Sequence, residues 1–391
     1  MRAARTYVTF AFLSTFGIAM SMADYVPFLR SIGLTLGQVA LINGFFSAAV
    51  IAMDVPTSLA ADRFGRARTL AVGAVIRFAG ALAYLLARGL GSALTAEIVL
   101  GAGLAFESGA LQAWLVDTLH AEGHGENIGG VLGRASAARG LAMMAGGAFG
   151  GWLGAWHLRA IWVPELLCAP VLVAFVRTRM RGRGDPAHRL PCTEAFARAI
   201  GALRAQRALR WIAACLFAFG LVAGINYFWA PYAERLFGRA RLGLVFAGMC
   251  LASSIGGLLM PRLADAGMHD AAATAVSMGV AGLAMLALPL SGGRVGFLAL
   301  LALHELPRGS FQPLTDRFIH RRVESAYRAT AGSLHSFAAK AGFTVVPLVL
   351  WLADRRFLDG PDTIRLTWTV CGALLAAVAA VLWLLRPRGE P

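Results

Sequence analysis

The sequence predicts an all-α, polytopic membrane protein in which twelve transmembrane helices form two pseudo-symmetric six-helix bundles. Of its 391 residues, 58% are hydrophobic and only 15% are charged, and a soluble protein cannot bury that much apolar surface. Apolar runs of membrane-spanning length recur along the whole chain. They form two groups of six, separated by one polar, arginine-rich stretch, which is the pattern expected of a duplicated unit.

The apolar runs define the predicted domains. The first six cover about 7–28, 38–61, 70–87, 93–116, 128–153 and 160–176, and the second six about 209–230, 241–261, 271–290, 295–316, 329–351 and 364–385. We therefore predict an N-terminal bundle at 1–176 and a C-terminal bundle at 209–391. The segment 177–208 has no apolar run of spanning length and is predicted to be a cytoplasmic linker.

The net charge of +15 indicates membrane topology rather than nucleic-acid binding, because the arginines concentrate between the apolar runs. Alternate segments, which include the N-terminus, the linker and the C-terminus, hold about twice as many arginines as the others; this bias places both termini in the cytoplasm. The five cysteines form no CxxC pair, so neither a disulfide framework nor a metal site is predicted. We expect a monomer in a bacterial inner membrane, with no cofactor.

A short cationic turn, Asp62-Arg63-Phe64-Gly65-Arg66-Ala67-Arg68, joins the second and third runs. Gly65 permits the turn, and the charged side chains can interact with helix ends and with acids on neighbouring helices. Asp54, one helical stretch earlier, is expected to join the same charge network. These five positions are the predicted cytoplasmic gate: Asp54, Asp62, Arg63, Gly65 and Arg66.

This turn resembles the signature loop of the major facilitator superfamily. Asp54-Val55-Pro56-Thr57 is similar to the E-V-P-T-G stretch of a drug-efflux-like bacterial branch, with Asp in place of Glu and Ser58 in place of Gly. Ser108–Asp117 resembles the end of that branch's fourth helix, and Arg328-Ala329-Thr330 with Ser333 resembles the start of its eleventh. The resemblance implies the fold of that superfamily, and a secondary transporter that works by alternating access between its two bundles.

The sequence also departs from the family pattern. Glu97 stands four residues before Gly101, where the family often has an arginine linked to proton transfer. The fifth-helix antiporter motif lacks its proline, although Gly146, Gly147 and Gly150 retain its small residues. Such glycines let a neighbouring helix approach closely.

Ionisable residues inside the apolar runs are the candidate functional groups, because each costs at least about 2.5–3.5 kcal/mol unless it is solvated or paired. Burial favours the protonated form of a carboxyl group, so Asp24 and Glu107 are the predicted proton-coupling residues. The predicted substrate cavity combines cations, other polar groups and one aromatic side chain: Arg77, Arg139, Asn226, Tyr227, His304, Glu305, Arg308 and Lys340.

Each candidate has a structural alternative. The cations and acids at lipid depth can form buried pairs without a transport role, as Glu305 and Arg308 can at i,i+3 spacing. Glu97 is expected to be solvated near the outer end of its helix. Trp229 and Tyr232 are expected to belong to the outer aromatic belt.

The leading function is proton-coupled export of a small amphipathic organic molecule. Four buried cations support an alternative, which is transport of an anionic metabolite or a metal chelate such as a siderophore. A non-transporting membrane sensor or an intramembrane enzyme belongs to another class, but the chain shows neither an added soluble domain nor a recognisable catalytic motif. The expected partners are therefore a small-molecule substrate, protons and the lipid bilayer, and no nucleic acid.

Overall fold

The computed structural model describes residues 2–180, 201, 206–265, 268–322, 328–357 and 360–387, and the regular elements within them are all helical. Seven helices precede the linker: α1 Arg2–Met22, α2 Tyr25–Ser31, α3 Leu36–Phe64, α4 Arg66–Leu86, α5 Leu90–Ala121, α6 Ile128–Trp156 and α7 Val163–Arg179. Seven follow it: α8 Arg207–Ala218, α9 Ala223–Phe237, α10 Leu242–Asp265, α11 Asp270–Ala287, α12 Arg294–Arg322, α13 Arg328–Phe357 and α14 Pro361–Leu384.

The predicted all-α, polytopic fold is confirmed. In the described part of the chain, nine helical stretches are long and apolar enough to cross a membrane, or ten if the bent pair of α1 and α2 counts as one span. The other two long helices, α6 and α12, have 29 residues each; α6 is rich in glycine and alanine, and α12 carries several charged residues. A helix therefore lies at each of the twelve positions where an apolar run was found.

The helices are grouped into two compact units. The first comprises Met1–Ala187 and Ala233–Ala247, and the second comprises His188–Tyr232 and Gly248–Pro391. In the first unit α1 packs on α6, and α4 packs on both α5 and α7. In the second unit α8 packs on α13, and α11 packs on both α12 and α14. The same order of pairing thus recurs in the two halves of the sequence.

The apolar core of the first unit lies around the beginning of α1 and the end of α5. Tyr7 and Phe10 of α1 pack there with Trp114 and Leu115 of α5. A separate apolar core in the second unit contains Trp211, Phe318 and Leu375, together with other buried side chains. Most side chains of the two cores are apolar and offer no hydrogen bonds. A polar group buried in either unit is therefore costly unless another polar or charged group pairs with it.

The pattern of the first apolar run predicted one continuous helix, but the structure has two helices there. The chain breaks at Ala23 and Asp24, and the axes of α1 and α2 differ by 45°. Pro27 provides the physical reason, since it has no N–H to continue the helical hydrogen bonding across the break and is tolerated in the first turn of a new helix. Asp24 consequently lies at a helix break.

The aromatic-belt prediction is wrong for Trp229, which is buried, and it stays a prediction for Tyr232, which is half-buried. The Trp229 side chain is only 4% exposed. The Tyr232 ring packs against two aromatic neighbours in the second unit, with centroid distances of 5.2 Å to Phe297 and 4.9 Å to Trp368. Packing against other helices therefore accounts for the burial of Trp229 and for the ring contacts of Tyr232.

The predicted linker, 177–208, lies largely outside the described residues.

Candidate functional site

Arg77 of α4 is the centre of a buried polar cluster in the first unit. Its side chain is fully buried. The Nε and Nη2 groups donate hydrogen bonds of 2.7 and 3.0 Å to the two carboxylate oxygens of Glu165 on α7. The Nη1 group forms an ion pair with Glu107 on α5. The planar guanidinium is suited to this arrangement because it presents several donors in a fixed fork.

Ser14 of α1 completes the cluster. Its hydroxyl donates to the Glu107 carboxylate over 2.6 and 2.7 Å, and its carbonyl oxygen accepts a 2.9 Å hydrogen bond from Arg77 Nη2. Four helices, α1, α4, α5 and α7, therefore meet through these side chains. We call this set, consisting of Ser14, Arg77, Glu107 and Glu165, the arginine cluster.

Glycines make room for the arginine cluster. A Cβ atom at Gly103 of α5 would lie 2.7 Å from Arg77 Cγ, and one at Gly17 of α1 would lie 2.6 Å from an oxygen of Glu165. Residues without side chains at these positions allow neighbouring helices to approach the charged groups closely. The geometry of the cluster thus depends on the packing of α1 and α5 as well as on its charges.

The charges of the cluster do not balance. Two carboxylates, Glu107 and Glu165, share the single guanidinium of Arg77, so the cluster is one negative charge in excess when both are ionised. Burying an uncompensated charge is costly, and uptake of one proton removes it. The side chain of Glu165 is 0% exposed whereas that of Glu107 is 16% exposed. Glu107 is therefore the more accessible of the two carboxylates.

A further buried carboxylate, Glu97, lies nearer the start of α5 than Glu107 does. The expectation that it is solvated is wrong, because Glu97 is only 5% exposed. The Tyr84 hydroxyl of α4 donates to its carboxylate, and Tyr25 of α2 also forms a hydrogen bond with it. The Tyr84 ring stacks on Trp162, with centroids 4.0 Å apart. Neighbouring helices cover this helix end, which the pattern of one helix alone cannot reveal.

The other two candidates of the first unit lie apart from the arginine cluster. Asp24 is fully buried at the break between α1 and α2, and neither carboxylate oxygen has a hydrogen-bond partner among the described residues. It faces Gly154 of α6, where a Cβ atom would come within 2.5 Å of the Asp24 carboxyl carbon. The Arg139 guanidinium lies 5.9 Å from the centroid of the Tyr7 ring.

Three candidates of the second unit form a separate cluster on α12. Arg308 Nη1 donates to both carboxylate oxygens of Glu305 over 3.0 Å. His304 Nδ1 lies 3.1 Å from the carbonyl oxygen of Ala281, and its Nε2 lies 3.9 Å from Glu305. Of the remaining candidates, Tyr227 is buried, while Asn226 and Lys340 are half-buried.

The predicted gate lies around the turn between α3 and α4. Gly65 has φ 90°, a conformation that favours glycine. Arg66 Nε is 3.4 Å from a carboxylate oxygen of Asp117 on α5. Arg63 is exposed, and the Asp54 carbonyl accepts hydrogen bonds from Thr57 and Ser58. The side chain of Asp62 and those of 328–330 and 333 lie outside the described residues.

Two members of the arginine cluster were missing from the predicted site. These members are Glu165 and Ser14, which are not among the predicted proton-coupling or substrate-cavity residues. A search for residues in register with Asp24 would find Ser14 and Gly17, which are one helical turn apart on α1. The partnership between Glu165 and Arg77 spans 88 residues of sequence, so no local pattern predicts it.

The comparisons with known proteins agree with this architecture. The family model described as Major Facilitator Superfamily matches residues 8–347. No curated protein matches the sequence. Among solved structures, the nucleoside transporter NupG superposes with a TM-score of 0.79 at 12% identity, covering 98% of this chain and 99% of that one.

Two further structures show the same fold. A bacterial homologue of the human lysosomal transporter Spinster has a TM-score of 0.77 at 16% identity, and the alignment covers 98% of this chain and 96% of that one. The POT family transporter PepTSo has a TM-score of 0.74 at 12% identity, and the alignment covers 98% of this chain and 97% of that one. The family model matches far more than half of the chain, so this protein belongs to the Major Facilitator Superfamily and is a multi-pass membrane transporter of the secondary type, not an enzyme.

Proposed function

We propose that this protein is a proton-coupled secondary transporter that exports a small amphipathic organic molecule by alternating access. The observation that carries the proposal is the charge imbalance of the arginine cluster. Glu107 and Glu165 share one guanidinium, and Glu107 is the more exposed of the two. A carboxyl group in this position can bind and release a proton when its exposure to water changes during a transport cycle.

The cluster also suggests how proton binding affects the helices. Ionised Glu107 accepts hydrogen bonds from Ser14 of α1 and pairs with Arg77 of α4. Protonation weakens both interactions, because a neutral carboxyl group attracts the guanidinium less strongly. A change at one carboxylate therefore alters the contacts among α1, α4 and α5. Such coupling between a protonation site and helix packing is what a proton-driven conformational cycle requires.

The ion pairs favour an amphipathic substrate over an anionic one. The anionic alternative relies on four buried cations, and carboxylates neutralise two of them: Arg77 is paired with Glu107 and Glu165, and Arg308 with Glu305. The similarity of 54–58 and 108–117 to the drug-efflux-like branch supports export. The arginine distribution supports an orientation with both termini in the cytoplasm. A bacterial inner-membrane location and a monomeric state are parts of the same proposal.

Transport by inside-out proteoliposomes tests the proposal. An interior-acid gradient should drive uptake of cationic amphipathic dyes such as ethidium, and nigericin, which collapses the pH gradient, should abolish that uptake. The variant Glu107→Gln should lose the response to the gradient. Glu126→Gln is the matched control, because Glu126 lies exposed in the turn before α6 and its contacts are with its chain neighbours Asn127 and His124.

Three outcomes would contradict parts of the proposal. If dye transport is the same with and without the gradient, proton coupling is wrong. If citrate is moved and none of a panel of cationic and neutral amphipaths is, the anionic alternative holds. If Glu107→Gln responds to the gradient as the parent does, Glu107 is not the coupling residue.

A further inference from the structure

We propose that Glu97, together with Tyr84 and Tyr25, forms a second proton-binding site, which relays protons between the end of α4 and the arginine cluster. The inference deepens the proposed function, since it rests on proton coupling and adds a group with no part in the charge balance of the arginine cluster.

The partners of Glu97 are neutral. Its carboxylate is hydrogen-bonded by the phenols of Tyr84 and Tyr25, and within the described residues it has no ion pair. A buried carboxylate that lacks a cation is costly when ionised, and a bound proton removes that cost. The two phenol oxygens lie 3.2 Å apart, so the three groups form a short chain along which hydrogen bonds can rearrange.

The surrounding cations are engaged elsewhere. Arg159 donates to the carbonyl oxygens of Leu85 and Ala87 over 2.5 and 2.8 Å. Arg30 of α2 donates to the carbonyl oxygen of Leu34 over 2.8 Å. Arg77 lies two helical turns from Tyr84 along α4 and is held by its own carboxylates. On α3, which also packs on α5, the ionisable groups lie in its second half, from Asp54 onward.

Burial restricts what the site can bind. Tyr84 is fully buried and Glu97 nearly so. The rings of Tyr84 and Trp162 stack face to face, and the Phe28 ring meets both of them edge-on. These rings fill the space beside the carboxylate, so an organic cation has no room there. A proton is small enough to reach Glu97 along the phenol hydroxyls.

The position of the site links it to the arginine cluster. The same structural elements supply both: α4 carries Arg77 and Tyr84, α5 carries Glu107 and Glu97, and Trp162 lies three residues before Glu165. At 1.5 Å per residue, Glu97 and Glu107 are about 15 Å apart along α5, and Arg77 and Tyr84 are about 10 Å apart along α4. Water or a rearranged side chain is needed to bridge this distance, so we infer a relay and not a direct hydrogen bond.

Infrared difference spectroscopy of the full-length protein in lipid, recorded across a pH jump, tests proton binding without any substrate. The carboxylic-acid carbonyl stretch of a protonated, hydrogen-bonded Glu97 should be present in the parent and absent in Glu97→Gln. Tyr84→Phe should shift this band, because it removes a hydrogen bond to the same carboxyl group. Glu107→Gln and the control Glu126→Gln should leave the band in place. A spectrum unchanged by Glu97→Gln overturns the proposal.

Transport separates a relay from a merely structural carboxylate. In the ethidium assay, Glu97→Gln should slow gradient-driven uptake while Glu97→Asp, which still binds a proton, retains more of it. If Glu97 only accepts hydrogen bonds, Gln should serve as well as the parent residue, and the relay is wrong. If Glu107→Gln loses coupling and Glu97→Gln does not, only the relay fails. If the parent itself ignores the gradient, the proposed function fails, and the infrared band still shows whether Glu97 binds a proton.

Discussion

Arg77 and Glu165 meet through two hydrogen bonds of 2.7 and 3.0 Å, and neither side chain is exposed. The pair joins α4 to α7 at a point where no water can replace a lost partner. Removing one member of such a pair leaves the other as an unpaired buried charge. The stability of the first unit should therefore depend strongly on this contact.

Arg77→Ala is expected to lower the free energy of unfolding by about 3–5 kcal/mol, because it leaves Glu165 and Glu107 without their cation. Thermal unfolding of the purified protein in detergent measures the loss. The control is Glu126→Gln, which weakens only exposed local contacts with Asn127 and His124 and should cost less than about 1 kcal/mol. Equal losses in the two variants would show that the buried pair contributes little.

Helix α6 allows a matched comparison between two glycines. A Cβ atom at Gly150 would collide with the carbonyl oxygen of Met20 on α1, whereas one at Gly133 meets open space. Gly150→Ala should therefore cost about 1–3 kcal/mol, since the backbone of α1 must move away. Gly133→Ala should be neutral or stabilising by up to about 1 kcal/mol, because alanine favours the helix. The same unfolding measurement decides, and a stable Gly150→Ala variant would mean that α1 can shift freely.

The sequence predicted the helices well and the side-chain partnerships poorly. Periodicity and apolar length are local properties, so the positions of all twelve runs, and the presence of Arg77 and Glu107 at lipid depth, follow from the chain alone. The break at Asp24 was missed because apolar residues continue on both sides of it, although Pro27 marks it. The partnership of Arg77 with Glu165 and the burial of Glu97 depend on how distant helices pack, which the pattern of one helix does not contain.

Asp270 in the second unit occupies the position that corresponds to Arg66 of the predicted gate in the first unit. Each residue lies at the start of a helix. Asp270, at the start of α11, accepts hydrogen bonds of 2.7 Å from Arg317 and 3.1 Å from Arg321 on α12. In the first unit, Arg66 at the start of α4 pairs with Asp117 near the end of α5. The two connections therefore join equivalent helices with the charges reversed.

Asp270→Asn should destabilise the protein more than Asp117→Asn does. The Asp270 side chain is 3% exposed and contacts two guanidinium groups, whereas that of Asp117 is 26% exposed. We expect a loss of about 3 kcal/mol for Asp270→Asn and about 1 kcal/mol for Asp117→Asn. Unfolding at low and high salt measures both, and screening should reduce mainly the contribution of Asp117. The reverse order would mean that the first-unit connection is the stronger one.

Arg159 should hold the end of α4 in place, and α4 carries Tyr84 near that end. Its guanidinium donates to the carbonyl oxygens of Leu85 and Ala87, where the helix leaves backbone acceptors unpaired. Arg159→Ala should cost about 1–3 kcal/mol and speed amide hydrogen exchange in the last turns of α4. Arg88→Ala is the control, because Arg88 is exposed beside the same helix end. Because Tyr84 lies in those turns, the infrared band assigned to Glu97 should broaden in Arg159→Ala. Unchanged exchange would show that the stacking of Tyr84 on Trp162 is sufficient to hold this helix end without the arginine.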